Sequence, residues 1–186
     1  MQTSFRLVVL SGTLWAATAC GGSSAETPGD SSSDFGSADY CQGIVDWDDA
    51  WATMEAEVVV EMNKRRAAGA DCNSEGVFAP APPLAANGLL QCAGRNHSVD
   101  MHIRDYFQHE SPDEFHVGDR ANWAGYPWVA IGENLALGSG TAVGVVEGWM
   151  GSDGHCRNIM APDFEELGIG YYKGKHPLWT AVFGTR

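Results

Sequence analysis

Cysteines constrain this chain more than any other feature. Of the five, Cys20 closes an apolar N-terminal run, and Cys41, Cys72, Cys92 and Cys156 lie in the sequence beyond it. The run, "LVVLSGTLWAATA" over residues 7–19, follows the early positive charge of Arg6 and ends in small residues, the pattern of a cleaved export signal. It is shorter than the roughly 20 apolar residues of a membrane-spanning helix. An exported chain meets an oxidising environment. Its four remaining cysteines therefore predict two disulfides, for which three pairings are open.

The stretch "ATAC" (17–20) resembles the lipobox of bacterial lipoproteins, with Ala17 where leucine is usual. On that reading residues 1–19 are removed and Cys20 is lipidated. Ordinary cleavage after Ala19 is the alternative. Residues 20–39 are rich in Gly, Ser and Asp, with Phe35 their only large apolar residue. They cannot bury enough surface to order themselves and read as a flexible tether of about 25 Å. Residues 40–186 then form one domain, and a lipid anchor is its only expected membrane contact. The net charge of −13 repels nucleic acid and anionic headgroups, which excludes both as surface partners.

Within the domain, apolar residues at 47, 51, 54, 58 and 62 form a helical stripe over 46–69. Acidic residues crowd its start and Lys64, Arg65 and Arg66 its end, as the helix dipole favours. After the proline-limited "APAPPL" (79–84), Asn87 is placed to cap a second helix reaching about residue 106. Its inner stripe is Leu90, Ala93, His97 and Met101, so His97 is expected to be a satisfied core histidine, with Asp100 as its partner. Residues 109–140 read as a long irregular stretch. Thr141 caps a third helix to Met150, and runs at 167–174 and 177–184 read as a hairpin. Helices first and a terminal hairpin predict an α+β fold.

The familiar catalytic signatures are missing. "HES" (109–111) lacks the second histidine of a zinc-protease helix, and Pro112 would break that helix. There is no G-x-S-x-G elbow and no glycine-rich phosphate loop followed by lysine. Cys156 adjoins His155, but adjacent residues rarely face each other as nucleophile and base. His109, Glu133, His155 and Glu166 could make a zinc-like site only if the fold brought them together.

Six segments in order change the picture: "YFQHESPDE" (106–114), "RANWAGY" (120–126), "GENLALG" (132–138), "WMGSDGHCRNIM" (149–160), "PDFEELGIG" (162–170) and "WTAVFG" (179–184). Together they resemble the bacterial branch of the CAP superfamily, the cysteine-rich secretory, antigen 5 and pathogenesis-related proteins, or SCP domains. The resemblance implies a three-layer α-β-α sandwich, exported, with long loops forming a central cleft. It implies that His109, Glu133, His155 and Glu166 line that cleft. His109 and His155 would be the ligands of Zn2+ or another divalent metal, with the two glutamates nearby. It also implies the pairing Cys72–Cys156 and Cys41–Cys92, which makes Cys156 structural. The chain departs from the family pattern at Gln108, Glu114, Asp153 and Ala181.

Two functions follow as expectations. The first is a tethered binding domain whose cleft takes a metal and a lipid, a small molecule or an extracellular protein partner. The alternative is a metal- or His/Glu-dependent hydrolase, a peptidase or esterase. A third reading leaves His109 and Glu133 as hydrogen-bonded props for the loops.

Overall fold

The computed structural model describes residues 37–186. The export signal, Cys20 and most of the tether lie outside them. Helix α1 (Ser37–Gln42) takes in the last residues assigned to the tether. Helix α2 (Asp49–Ala68) begins where the Asp48 carboxylate accepts the amides of Ala50 and Trp51. It ends at Gly69, whose φ of 74° suits glycine. A small antiparallel hairpin follows, β1 (Ala70–Asp71) and β2 (Val77–Phe78), and then β3 (Ala85–Ala86). Helix α3 (Gly88–Ile103) starts where Asn87 accepts the amides of Leu89 and Leu90.

Residues 109–140 are more ordered than the sequence suggested. They hold α4 (Val117–Trp123) and β4 (Ala130–Leu137). Three successive residues of β4, Glu133, Asn134 and Leu135, are buried, which hides the in–out alternation that marks a strand. Helix α5 (Ala142–Met150) is capped by Thr141. Helix α6 (Asp153–Met160) also escaped the sequence reading, being short, polar and interrupted by Gly154. Strands β5 (Glu166–Tyr172) and β6 (Leu178–Thr185) close the chain as the expected hairpin.

The main sheet runs β3-β5-β6-β4, with β3 parallel to β5 and the other pairs antiparallel. One face, carrying Leu167, Ile169, Tyr171, Trp179, Ala181 and Phe183, packs on Val58 and Met62 of α2, Val146 and Trp149 of α5 and Ile159 of α6. On the other face lie α3 and α4, where Leu90 and Ala121 meet Tyr126 and Val182. This is the three-layer α-β-α sandwich. Helix α3 lies so close to the sheet that a Cβ on Gly168 would fall 2.0 Å from the Gln91 nitrogen, and one on Gly170 would fall 2.2 Å from that of Arg95.

Two charges are buried in α2 beside Val58 and Met62. Glu55 accepts bonds from Arg95, Gln91, Trp47 and the Tyr171 amide, so its carboxylate keeps partners after leaving water. Arg66 donates to the carbonyls of Pro82, Ile159, Ala161 and Phe164. That fan of bonds fixes the chain leaving α6, the helix that presents His155.

Candidate functional site

β4 is an edge strand, and the site wraps around it. Glu133 pairs with Val182 and so projects toward the α3–α4 layer. It is buried at 7% exposure. One carboxylate oxygen accepts His109 Nδ1 at 2.8 Å and the other accepts Arg120 Nη2 at 2.8 Å. Burial would push this carboxyl up. The His109 hydrogen bond and the Arg120 charge outweigh burial, and the group is held below its ordinary value. It is therefore ionised at neutral pH.

An ionised Glu133 accepts only, so His109 Nδ1 carries a proton, and in the neutral form of the imidazole Nε2 is the nitrogen with the free lone pair. The His109 side chain is 58% exposed, so that nitrogen is reachable from solvent. Arg120 fixes the loop from below, donating to the carbonyls of His109 and Phe115.

His155 arrives from the other side of β4. Asn134, fully buried, donates to the His155 carbonyl, and Asn158 donates to Asn134 and to the Glu133 carbonyl. These bonds clamp α6 against the strand that carries Glu133. The start of α6 is tied down twice more. Asp153 accepts from Ser74 and Asn73, and the Cys72–Cys156 disulfide joins the same loop to α6. Burial, and then the charge of His109, hold the His155 imidazole below its ordinary value. It is neutral at physiological pH, the form that ligates a metal.

The fold does not bring Glu166 into this group. It lies on β5, and β6 runs between β5 and β4, a separation of two strand spacings or about 10 Å. Its oxygens are taken by Asn87, Tyr126 and Arg186. Among the described residues, no three His, Cys, Asp or Glu side chains converge as a cation site. Two imidazoles, His109 and His155, remain as candidate donors, and Glu133 orients His109.

His97 is buried as expected, but its partners differ. Nε2 donates to the Gln108 carbonyl at 3.1 Å, and Asp100 is reached only through the Tyr106 hydroxyl. Arg120, Asn134 and Asn158 were not singled out from the sequence. All three lie inside quoted segments, "RANWAGY", "GENLALG" and "WMGSDGHCRNIM", and their polar type at positions that turn out buried or clamped was the available signal. The second disulfide, Cys41–Cys92, fastens α1 to α3. Ala181 lies in the core, opposite Asn134 in the strand register.

The profile of the Cysteine-rich secretory protein family, CAP, matches residues 59–183. The chain belongs to this family. Over 101 residues it is 37% identical to YkwD, an uncharacterized protein of Bacillus subtilis, covering 54% of this chain and 39% of that protein. Over 74 residues it is 34% identical to YlbC, an uncharacterized membrane protein of the same organism, covering 40% and 21%. It therefore spans less than half of either curated relative. An extracellular SCP-domain protein of Bacillus anthracis superposes with a TM-score of 0.60 at 26% identity, over 74% of this chain and 43% of that one. An outer surface protein of Borrelia burgdorferi shares the fold at a TM-score of 0.59 and 15% identity, over 76% and 96%.

Proposed function

We propose that this CAP domain works outside the cytoplasm as a binding domain whose cleft holds a divalent metal, zinc foremost, on His109 and His155. Export is supported by the apolar leader, by two disulfides that need an oxidising compartment, and by the extracellular relative from Bacillus anthracis. A lipid on Cys20 would keep the domain within a tether's length of a membrane. No helix among the described residues is long and apolar enough to cross one.

The carrying observation is the His109–Glu133 bond of 2.8 Å. A carboxylate behind a metal-binding imidazole fixes its tautomer and raises its basicity. With two protein ligands, water or a ligand's own oxygen completes the shell, so affinity is modest and the metal stays open to exchange. Bound zinc would supply Lewis acidity to such an oxygen. Glu133 remains outside the shell, since Arg120 already holds its second oxygen.

The same pair favours one second reading, hydrolysis, because a carboxylate-oriented imidazole is also the geometry of a general base. Turnover of a peptide and ester panel that disappears in the His109→Ala, Glu133→Ala double variant would establish it. For the binding reading, zinc is titrated calorimetrically into the purified protein and its His109→Ala variant. Saturable heat at one site, lost in the variant, supports a His109 metal site. Equal heats in both proteins, or none in either, would overturn it.

A further inference from the structure

The first half of β4 is an open sheet edge, and the strand register shows which groups it presents. Glu55 accepts the Tyr171 amide and the Leu167 carbonyl accepts the Asn87 amide, so the odd-numbered residues of β5 face away from β6. The even residues of β5 therefore pair with the even residues of β6, and the odd residues of β6 with the even residues of β4. That leaves Ile131, Glu133, Leu135 and Leu137 directing N–H and C=O outward. Two of those carbonyls are covered within the domain, where Asn158 donates to Glu133 and Trp149 donates to Leu135. The N–H and C=O of Ile131 and the N–H of Glu133 meet no group among the described residues.

Solvent reaches this stretch. Ile131 is half-buried, and Glu133 is 7% exposed as a residue but 3% in its side chain, so its main chain is the more open part. Natural edge strands are normally blunted by charges, proline, a bulge or a covering element. The run "WVAIG" (128–132) has neither a charge nor a proline, and Val129 is 78% exposed. The clamps from α5 and α6 begin only at Glu133.

An open edge of alternating N–H and C=O groups is matched by another extended main chain. Trp128 packs on α4 at Gly118 and Phe164 packs on Gly132, so an aromatic ring stands on each face of the edge to meet alternating side chains. Residues 107–119 and 162–166, which reach the strand at His109 and Phe164, carry seven carboxylates and no lysine or arginine. Charge therefore favours a basic segment. It disfavours a second copy of this chain, which would bring another net charge of −13.

We propose that the Ala130–Glu133 edge of β4 docks an extended, lysine- or arginine-bearing segment of a partner protein, which joins the main sheet as a further strand. Main-chain hydrogen bonds at Ile131 and Glu133 hold it alongside His109. Docking of this kind needs no bound ion, so it stands or falls apart from the metal reading.

The probe is a blocked octapeptide of alternating lysine and valine, titrated into the 15N-labelled protein in the presence of EDTA. Beside it runs the same peptide N-methylated at every residue, which keeps the charge and loses the residue N–H groups. Saturable shifts are expected at residues 130–133. At saturation the Ile131 and Glu133 amides should exchange with solvent at least 10-fold more slowly, while the Gly132 and Asn134 amides, already in the ladder, change little. The N-methylated peptide should bind at least 10-fold more weakly. Ile131→Pro deletes one outward N–H and no bond to β6, the kind of strand position where proline is tolerated, and should weaken the octapeptide at least 10-fold. No saturable shifts in the wild-type protein, shifts centred away from 130–133, or equal binding of the N-methylated peptide would overturn the proposal. So would dimerisation of the protein alone that slows the same two amides, which assigns the edge to a second copy. The peptide comparison needs no variant to fold.

Discussion

Acid should unfold this protein through His97 before it reaches the carboxylates. The imidazole is packed in α3 against Glu133, Arg120, Tyr106 and the Gln108 carbonyl, at 1% exposure. Burial first, and then the Arg120 charge against the opposing pull of Glu133, depress its pKa from 6.5 to about 4. A base with a depressed folded pKa binds more protons when unfolded. Stability is therefore fully present above pH 6.5 and is lost as pH falls toward 4. One proton is worth about 1.4 kcal/mol per pH unit, so the window removes about 3 kcal/mol from a domain whose whole stability is of order 5–15. His155, depressed in the same direction, adds to the loss. Glu133, held below its ordinary value of 4.5, adds to the loss only as pH falls below that value, where the carboxyl of the unfolded chain takes up its proton first. The assay is urea unfolding at pH 7.5, 6.0 and 5.0 for the wild type and His97→Gln, whose amide can still donate to Gln108. The wild-type midpoint should fall with acid, and the variant should show a shallower slope. A flat wild-type profile between pH 7.5 and 5.0, or an unchanged slope in the variant, would rule out His97 as the acid-sensitive group.

Three other outcomes follow from the same contacts. Glu133→Gln leaves the buried Arg120 guanidinium without a counter-charge, and should cost about 3 kcal/mol by urea unfolding. It should also weaken zinc 10- to 100-fold by calorimetry, because His109 loses its ionic orienter. Paired Cys72→Ser and Cys156→Ser changes release α6, the helix that presents His155, from the loop after α2. The chain-entropy limit for an 84-residue separation is about 4–5 kcal/mol, measured as the drop in unfolding free energy. Gly170→Ala places a Cβ against the backbone of Gly94 and Arg95, and its heteronuclear NMR spectrum should show loss of native dispersion.

Legibility differed between the layers and the site. Helices α2, α3 and α5 were readable from their apolar stripes, and Asn87 and Thr141 marked where α3 and α5 open; the cap of α2, Asp48, was read as part of the helix. Strand β4 was not, since its inward Glu133 and Asn134 are polar and held by hydrogen bonds, which leave no mark in hydrophobic periodicity; α6 was not, because its buried Cys156, Ile159 and Met160 span little more than one turn of an eight-residue helix. His109, Glu133, His155 and Glu166 could be named as donor types from the sequence, but only the family resemblance placed them in one cleft. Glu166 was misplaced by the same route, because a motif match carries no information about which strand lies between two residues. Arg120 went unremarked although it joins the loop to Glu133. An arginine in an irregular stretch reads as a solvated charge until the fold buries it.

The most direct measurement is a crystal of the protein soaked in zinc, with diffraction recorded on both sides of the zinc absorption edge. One anomalous peak is expected within bonding distance of His109 Nε2 and a His155 ring nitrogen, with Glu133 outside the shell and still bonded to His109 and Arg120. A peak elsewhere with both imidazoles unliganded, or Glu133 turned away from Arg120 to bind the ion, would contradict it.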